Sequence, residues 1–150
     1  MTVITNPVNT NNSSFANYDV SKALLGNNHF DKNDYTDSGS GSTILALVLL
    51  GKIAATGKLV LLAPSASDGS QFPIGLAWFG GSADLDVAAS ATVEIEYVNK
   101  GDVALDKIAL PAGVTLATVI TGDGRTVQDY LNAMGFRLKA GLELTEFDNS

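Results

Sequence analysis

The sequence predicts a mainly β domain with a minor α component (α+β): a small, compact β-sandwich or barrel-like unit with one C-terminal amphipathic helix and an extended N-terminal arm. Three observations carry this. Composition changes near residue 42, before which eight of the eleven asparagines lie and after which the long apolar segments begin. The segment Thr92-Val93-Glu94-Ile95-Glu96-Tyr97-Val98 alternates apolar and acidic residues at the period of a half-buried strand. Val127, Tyr130, Leu131 and Met134 fall at i, i+3, i+4 and i+7, which is one face of a helix.

In chain order, residues 1–42 are rich in Asn, Ser, Gly and Asp and end in the SGSGS of 38–42. Such a segment buries too little apolar surface to offset its ordering entropy, so it is expected to be a flexible arm, with 43–150 as the β-rich domain. The arm nevertheless keeps Phe15, Tyr18, Val20, Leu24, Leu25, Phe30 and Tyr35 in polar surroundings. Either these pack back on their own domain or they dock on a partner, with ordering coupled to binding.

Residues 44–50 are apolar without alternation, as in a strand buried on both faces, with a short buried helix as the alternative. The following GKIAATGKLV of 51–60 invites comparison with a phosphate loop and fails it. Such a loop has four residues between its glycines, Ser or Thr after its lysine, and a helix to follow. Here five residues separate Gly51 from Gly57, Leu59 follows Lys58, and 58–62 reads as strand. The segment is expected to be a turn between strands, with Gly57 supplying a positive φ.

Residues 63–70 form a loop whose sharpest turn signal is Asp68-Gly69, and 74–79 resume an apolar run. After the alternating strand, Asn99-Lys100-Gly101-Asp102 predicts a turn at Gly101. One or two short strands are expected over 103–110 before Pro111-Ala112-Gly113. The C-terminal helix is expected to run about ten residues, with Asp123 as a candidate cap and Gly135 as its left-handed stop. A helix that short must lie on a sheet or another subunit.

Charge and composition exclude several function classes. A net charge of −7 disfavours direct nucleic-acid binding, which rests on Lys and Arg displacing counterions. The longest apolar run is far short of the roughly 20 residues that cross a bilayer, so no membrane partner is expected. The start, MTVITNPVNT, lacks the basic and apolar regions of a secretory signal, so a soluble chain without export is expected. With no cysteine there is no disulfide framework and no thiolate chemistry.

Candidate catalytic groups are sparse. Asp84/Asp86 and Glu94/Glu96 each have the i, i+2 spacing that places two carboxylates on one strand face, the minimum for paired acid and base work. Solvent-facing residues of an acidic protein look the same. His29 is the only histidine and has no companions at metal-ligand spacing, so neither metal nor other cofactor is expected. Trp78-Phe79 precedes Gly80-Gly81 and suits either core packing at a strand end or an exposed patch for a partner or sugar. In a carbohydrate-binding or adhesin-like module, Trp78 and Tyr97 would be the stacking platforms.

The ordered elements Lys58-Leu59-Val60, Asp68-Gly69, Gly75-Leu76-Ala77, an aromatic-bearing strand entering Gly101, Asp106-Lys107-Ile108 and Pro111 resemble the head decoration proteins of tailed bacteriophages. The likeness runs over about 43–111, and 123–135 is similar to the ending of longer relatives. The resemblance implies a non-enzymatic homotrimer whose partner is the major capsid protein. It further implies binding at three-fold sites on the outer surface of the expanded head, after assembly in the host cytoplasm, and stabilisation of the shell against internal DNA pressure. It also implies an N-terminal arm that orders on the shell, which makes Phe15, Tyr18, Val20, Leu24, Leu25 and Phe30 the candidate contacts.

Overall fold

The computed structural model describes residues 23–80 and 84–139. Within them the chain forms β1 (Leu24–Thr36), β2 (Ser42–Ile44), β3 (Leu49–Lys52), β4 (Leu59–Leu61), β5 (Gly75–Trp78), β6 (Leu85–Val87), β7 (Thr92–Ala104), a 3₁₀ turn (Leu105–Lys107), α1 (Val127–Met134) and β8 (Phe136–Lys139). The fold is mainly β with one helix near the C-terminus, a compact sheet-rich domain of the α+β kind.

β7 is the spine. β1 runs antiparallel along one of its edges, from Leu24 opposite Val103 to Thr36 opposite Thr92. The other edge takes β5 in antiparallel register, Leu76 opposite Val98, and then β8 in parallel register, Gly101 opposite Phe136. β5 continues to β3, and β3 to β4. β4 returns to β1 through the parallel pair Leu59 and Tyr35, so the pairings close a ring. β2 and β6 form a separate antiparallel ribbon.

Because successive residues of a strand point to opposite faces, the ring has two cores. Leu50, Ala77, Ile95, Tyr97, Tyr35 and Leu59 share one cluster with Ile44, Val48 and Val87. Their chain neighbours Leu49, Leu76 and Val98 face the other way, into a cluster with Ile120, Val127, Leu131 and Phe136. The apolar stripe of α1 thus covers one face of the sheet. Thr126 caps that helix by accepting a hydrogen bond from the Asp129 amide at 3.1 Å, and Gly135 ends it in the left-handed region at φ 109°. Asp123, the expected cap, is instead taken by Arg125.

Four expectations are corrected by the pairing. The boundary at residue 42 does not coincide with a break in the fold, because β1 lies inside the expected arm and Tyr35 is buried in the core. Composition obscured this: β1 is mostly exposed and so carries polar residues, while its order comes from the β7 ladder. The apolar run 44–50 is not one strand. It bends at Leu47, which is buried with φ 62°, so that β2 pairs with β6 while β3 pairs with β4 and β5.

The turn expected at Gly101 is absent, since β7 continues through it to Ala104. Gly101 has φ 128°, and a Cβ there would lie 2.7 Å from the Asn27 carbonyl oxygen and the Asn28 Cα. Glycine is needed because irregularly paired β1 presses against β7 at this point. The strands expected over 103–110 reduce to the end of β7, the 3₁₀ turn and an isolated parallel bridge between Ala109 and Val48, and β8 is an addition to the expected elements.

The segment 51–60 is a hairpin. Ile53 and Gly57 close its turn, with the Gly57 amide donating to the Ile53 carbonyl at 2.8 Å and Gly57 at φ 73°. Gly69 has φ 105°, and its neighbour Asp68 accepts from the Ser70 amide at 3.0 Å.

Candidate functional site

Of the arm contacts suggested by the sequence, Phe15, Tyr18 and Val20 lie outside the described residues. Leu24 packs against the cluster that α1 covers, whereas Leu25 and Phe30 are each 43% exposed. Phe30 is drawn into a surface that no local pattern reveals. It lies opposite Val98, and its ring centroid is 6.3 Å from that of Trp78 at a 50° tilt.

This surface is the outer face of the β1–β7–β5 sheet. Directly paired residues share a face, so Phe30 with Val98, Lys32 with Glu96, Asp34 with Glu94, and Thr36 with Thr92 form one ladder. The Thr36 and Thr92 hydroxyls, 2.8 Å apart, hydrogen-bond across it. Trp78 of β5 lies opposite Glu96 on the far side of β7. Trp78, Phe79, Glu94, Glu96 and Lys32 line an open groove here. Neither carboxylate of the Glu94/Glu96 pair, nor the Lys32 ammonium, has an ion-pair partner among the described residues.

The other candidates for chemistry separate. Asp84 accepts from the Ala46 amide at 3.1 Å and Asp86 from the Thr43 hydroxyl at 2.8 Å, so these carboxylates tie loops and the β2–β6 ribbon together. His29 is exposed opposite Lys100, and no group of three or more His, Cys, Asp or Glu that could hold a metal ion occurs among the described residues. Tyr97 is buried inside the ring, and burial, together with the Asp31 carboxylate, pushes its phenol up. It cannot serve as an exposed stacking platform beside Trp78. Among the described residues no helix is long and apolar enough to cross a membrane.

Residues 26–122 match the family model of bacteriophage lambda head decoration protein D. The chain belongs to that family. No curated protein matches it. Membership makes it a structural protein of the bacteriophage capsid, with a capsid partner and a place in the virion. The matched span of this decoration protein starts well before residue 43 and takes in nearly all of β1, consistent with the pairing that builds β1 into the ring.

The decoration protein also has one organising carboxylate, Asp37, that no motif in its sequence marks as a site. Asp37 accepts from the amides of Gly39 and Gly41, each at 2.8 Å, from the Ser90 amide at 3.1 Å and from the Ser42 hydroxyl. The Ser42 hydroxyl and these amides hold its carboxyl far below the usual carboxylate range. Ser42 also meets the Tyr35 hydroxyl at 3.0 Å, so one acid joins the end of β1, the SGSGS loop and the turn before β7. The signal was present as Asp37 with glycines at +2 and +4, the pattern of a side chain capping its own loop.

Proposed function

We propose that this protein is a non-enzymatic decoration protein that binds the outer surface of the expanded head as a homotrimer at three-fold sites, in contact with the major capsid protein, and so stabilises the shell against internal DNA pressure. The family match over 26–122 is the observation that carries the reading. The physical basis is linkage. A protein that binds the assembled lattice and not its free subunits stabilises the lattice according to its affinity and concentration. Three-fold engagement multiplies weak single contacts through effective concentration.

In this reading residues 1–22, with Phe15, Tyr18 and Val20, act as the shell clasp, and β1 anchors them to the ring. Imaging expanded, undecorated heads after addition of the purified protein is expected to show new density at three-fold positions. Sedimentation of the free protein is expected to give a trimer mass. Removal of 1–22 is expected to weaken head attachment while preserving the fold. Heads that stay bare across salt concentrations would overturn the reading.

A further inference from the structure

The outer face of the β1–β7–β5 sheet combines two features that ordinary folding does not require. Phe30 is a large aromatic left 43% exposed, and it touches Trp78 across the sheet instead of entering either core. Exposed aromatic contacts of this kind are enriched at the centres of interfaces. The polar residues around the pair are also mismatched. Asp34 and Glu94 are directly opposed like charges, an arrangement that destabilises a sheet, and among the described residues Glu96 has no ion-pair partner although Lys32 faces it.

We infer that this face is a docking surface for an extended, arginine-bearing segment of a partner protein, with Phe30 and Trp78 as the stacking floor and Glu94, Glu96 and Asp34 as the carboxylate rim. The argument for arginine is chemical. A guanidinium is planar, stacks on Trp and Phe faces, and offers a fork of donors that matches a carboxylate, whereas lysine presents a strongly hydrated point charge. Adjacent strands lie about 5 Å apart, so a guanidinium over Trp78 is within reach of the neighbouring Glu96. Charge complementarity selects a basic partner, since the face is acidic on balance and the whole chain carries −7. Phe30 is a candidate contact in the decoration reading. The inference rests on that reading for the site's use and adds the chemistry of what it receives.

Trp78 is the only tryptophan and, although it also packs against the core cluster under α1, it lines this groove, so its fluorescence reports on binding here. The full chain is titrated with hexa-arginine and with hexa-lysine at physiological salt, alongside two double variants. Glu94→Gln with Glu96→Gln alters the face; Asp106→Asn with Asp129→Asn removes the same charge elsewhere. The expected result is a saturable Trp78 signal with hexa-arginine, weaker with hexa-lysine, whose affinity falls about tenfold in the face variant and less than about twofold in the control. Equal losses in both variants, no fluorescence change, or no preference for arginine would overturn the inference.

Binding to undecorated heads is measured on the same proteins. Heads bound equally by wild type and face variant would sink the docking surface and leave the decoration reading standing. Heads bound by neither, with the peptide result intact, would do the reverse. Self-association abolished by the face variant would assign the surface to a second copy and likewise overturn the inference.

Discussion

Asp102 of β7 and Arg137 of β8 lie directly opposite each other and are joined by two hydrogen bonds, Nε to Oδ1 at 2.8 Å and Nη2 to Oδ2 at 3.0 Å. Lys139 adds a third cationic contact to the same carboxylate at 3.6 Å. Asp102 is buried while the Arg137 side chain is 65% exposed, so the pair is a clamp with one dry jaw. Arg137→Met is expected to lower the urea midpoint by less than a core truncation does, because solvent screens the exposed partner. In a double-mutant cycle with Asp102→Asn the two losses should fall short of additivity. Fully additive losses would show that the clamp contributes nothing as a pair.

The Gly57 turn is open around its Cα but demands φ 73°. Gly57→Val is therefore expected to cost about 1–2 kcal/mol through backbone strain alone, and Gly57→Asn clearly less. Chemical denaturation of the two variants checks the order; equal midpoints would contradict it.

Leu131 is fully buried where α1 meets the sheet. Leu131→Ala is expected to lose about 2–5 kcal/mol, and Thr126→Ala, which removes only the helix cap, about 0.5–2 kcal/mol. Equilibrium unfolding followed by circular dichroism measures both, and a larger loss for the cap than for the core would refute the packing of α1.

Asp37, Asp68, Asp102 and Asp123 all have carboxyls held below the usual range, by the Ser42 hydroxyl, the Ser70 hydroxyl, Arg137 and Arg125 respectively. Each is depressed in the folded state, so its stabilisation is complete above the ordinary carboxylate pKa of about 3.9 and is lost as pH falls toward the folded values. Urea midpoints are expected to be level near neutrality and to fall below about pH 5. Asp37→Asn should lower the midpoint at pH 7 and narrow the gap between pH 7 and pH 3. An undiminished gap would remove Asp37 from the acid response.

Deleting residues 1–42 removes β1, and with it Tyr35 and Asp37. That truncation is expected to lose cooperative unfolding, whereas deletion of 1–22 keeps it. Thermal scans of both proteins decide the point, and a folded 43–150 fragment would show that the ring does not need β1.

What the sequence disclosed follows from where burial is periodic. Ile95 and Tyr97 alternate with Glu94 and Glu96, and Val127 and Leu131 repeat at helical spacing, because each element has one dry face. β1 gave no such signal because it is mostly exposed, and the short β8 buries only Phe136 fully. Gly101 and Asp102 imitate a turn, yet the first admits a close strand and the second receives Arg137. The Phe30–Trp78 contact is created only by the order of strands, so no local reading of either residue could have paired them.

The ring has a kinetic consequence. β1 leaves the ribosome before every other strand described, yet its long partner β7 follows only after β2 to β6 have been made. Its first-made strand must therefore wait, and joining it closes a loop that contains most of the sheet. Topologies of such high contact order fold in roughly milliseconds to seconds, much more slowly than helical bundles of similar size. Whatever residues 1–22 engage is thus tethered to the strand whose docking completes the domain, so a clasp carried there would be anchored only once the ring has closed.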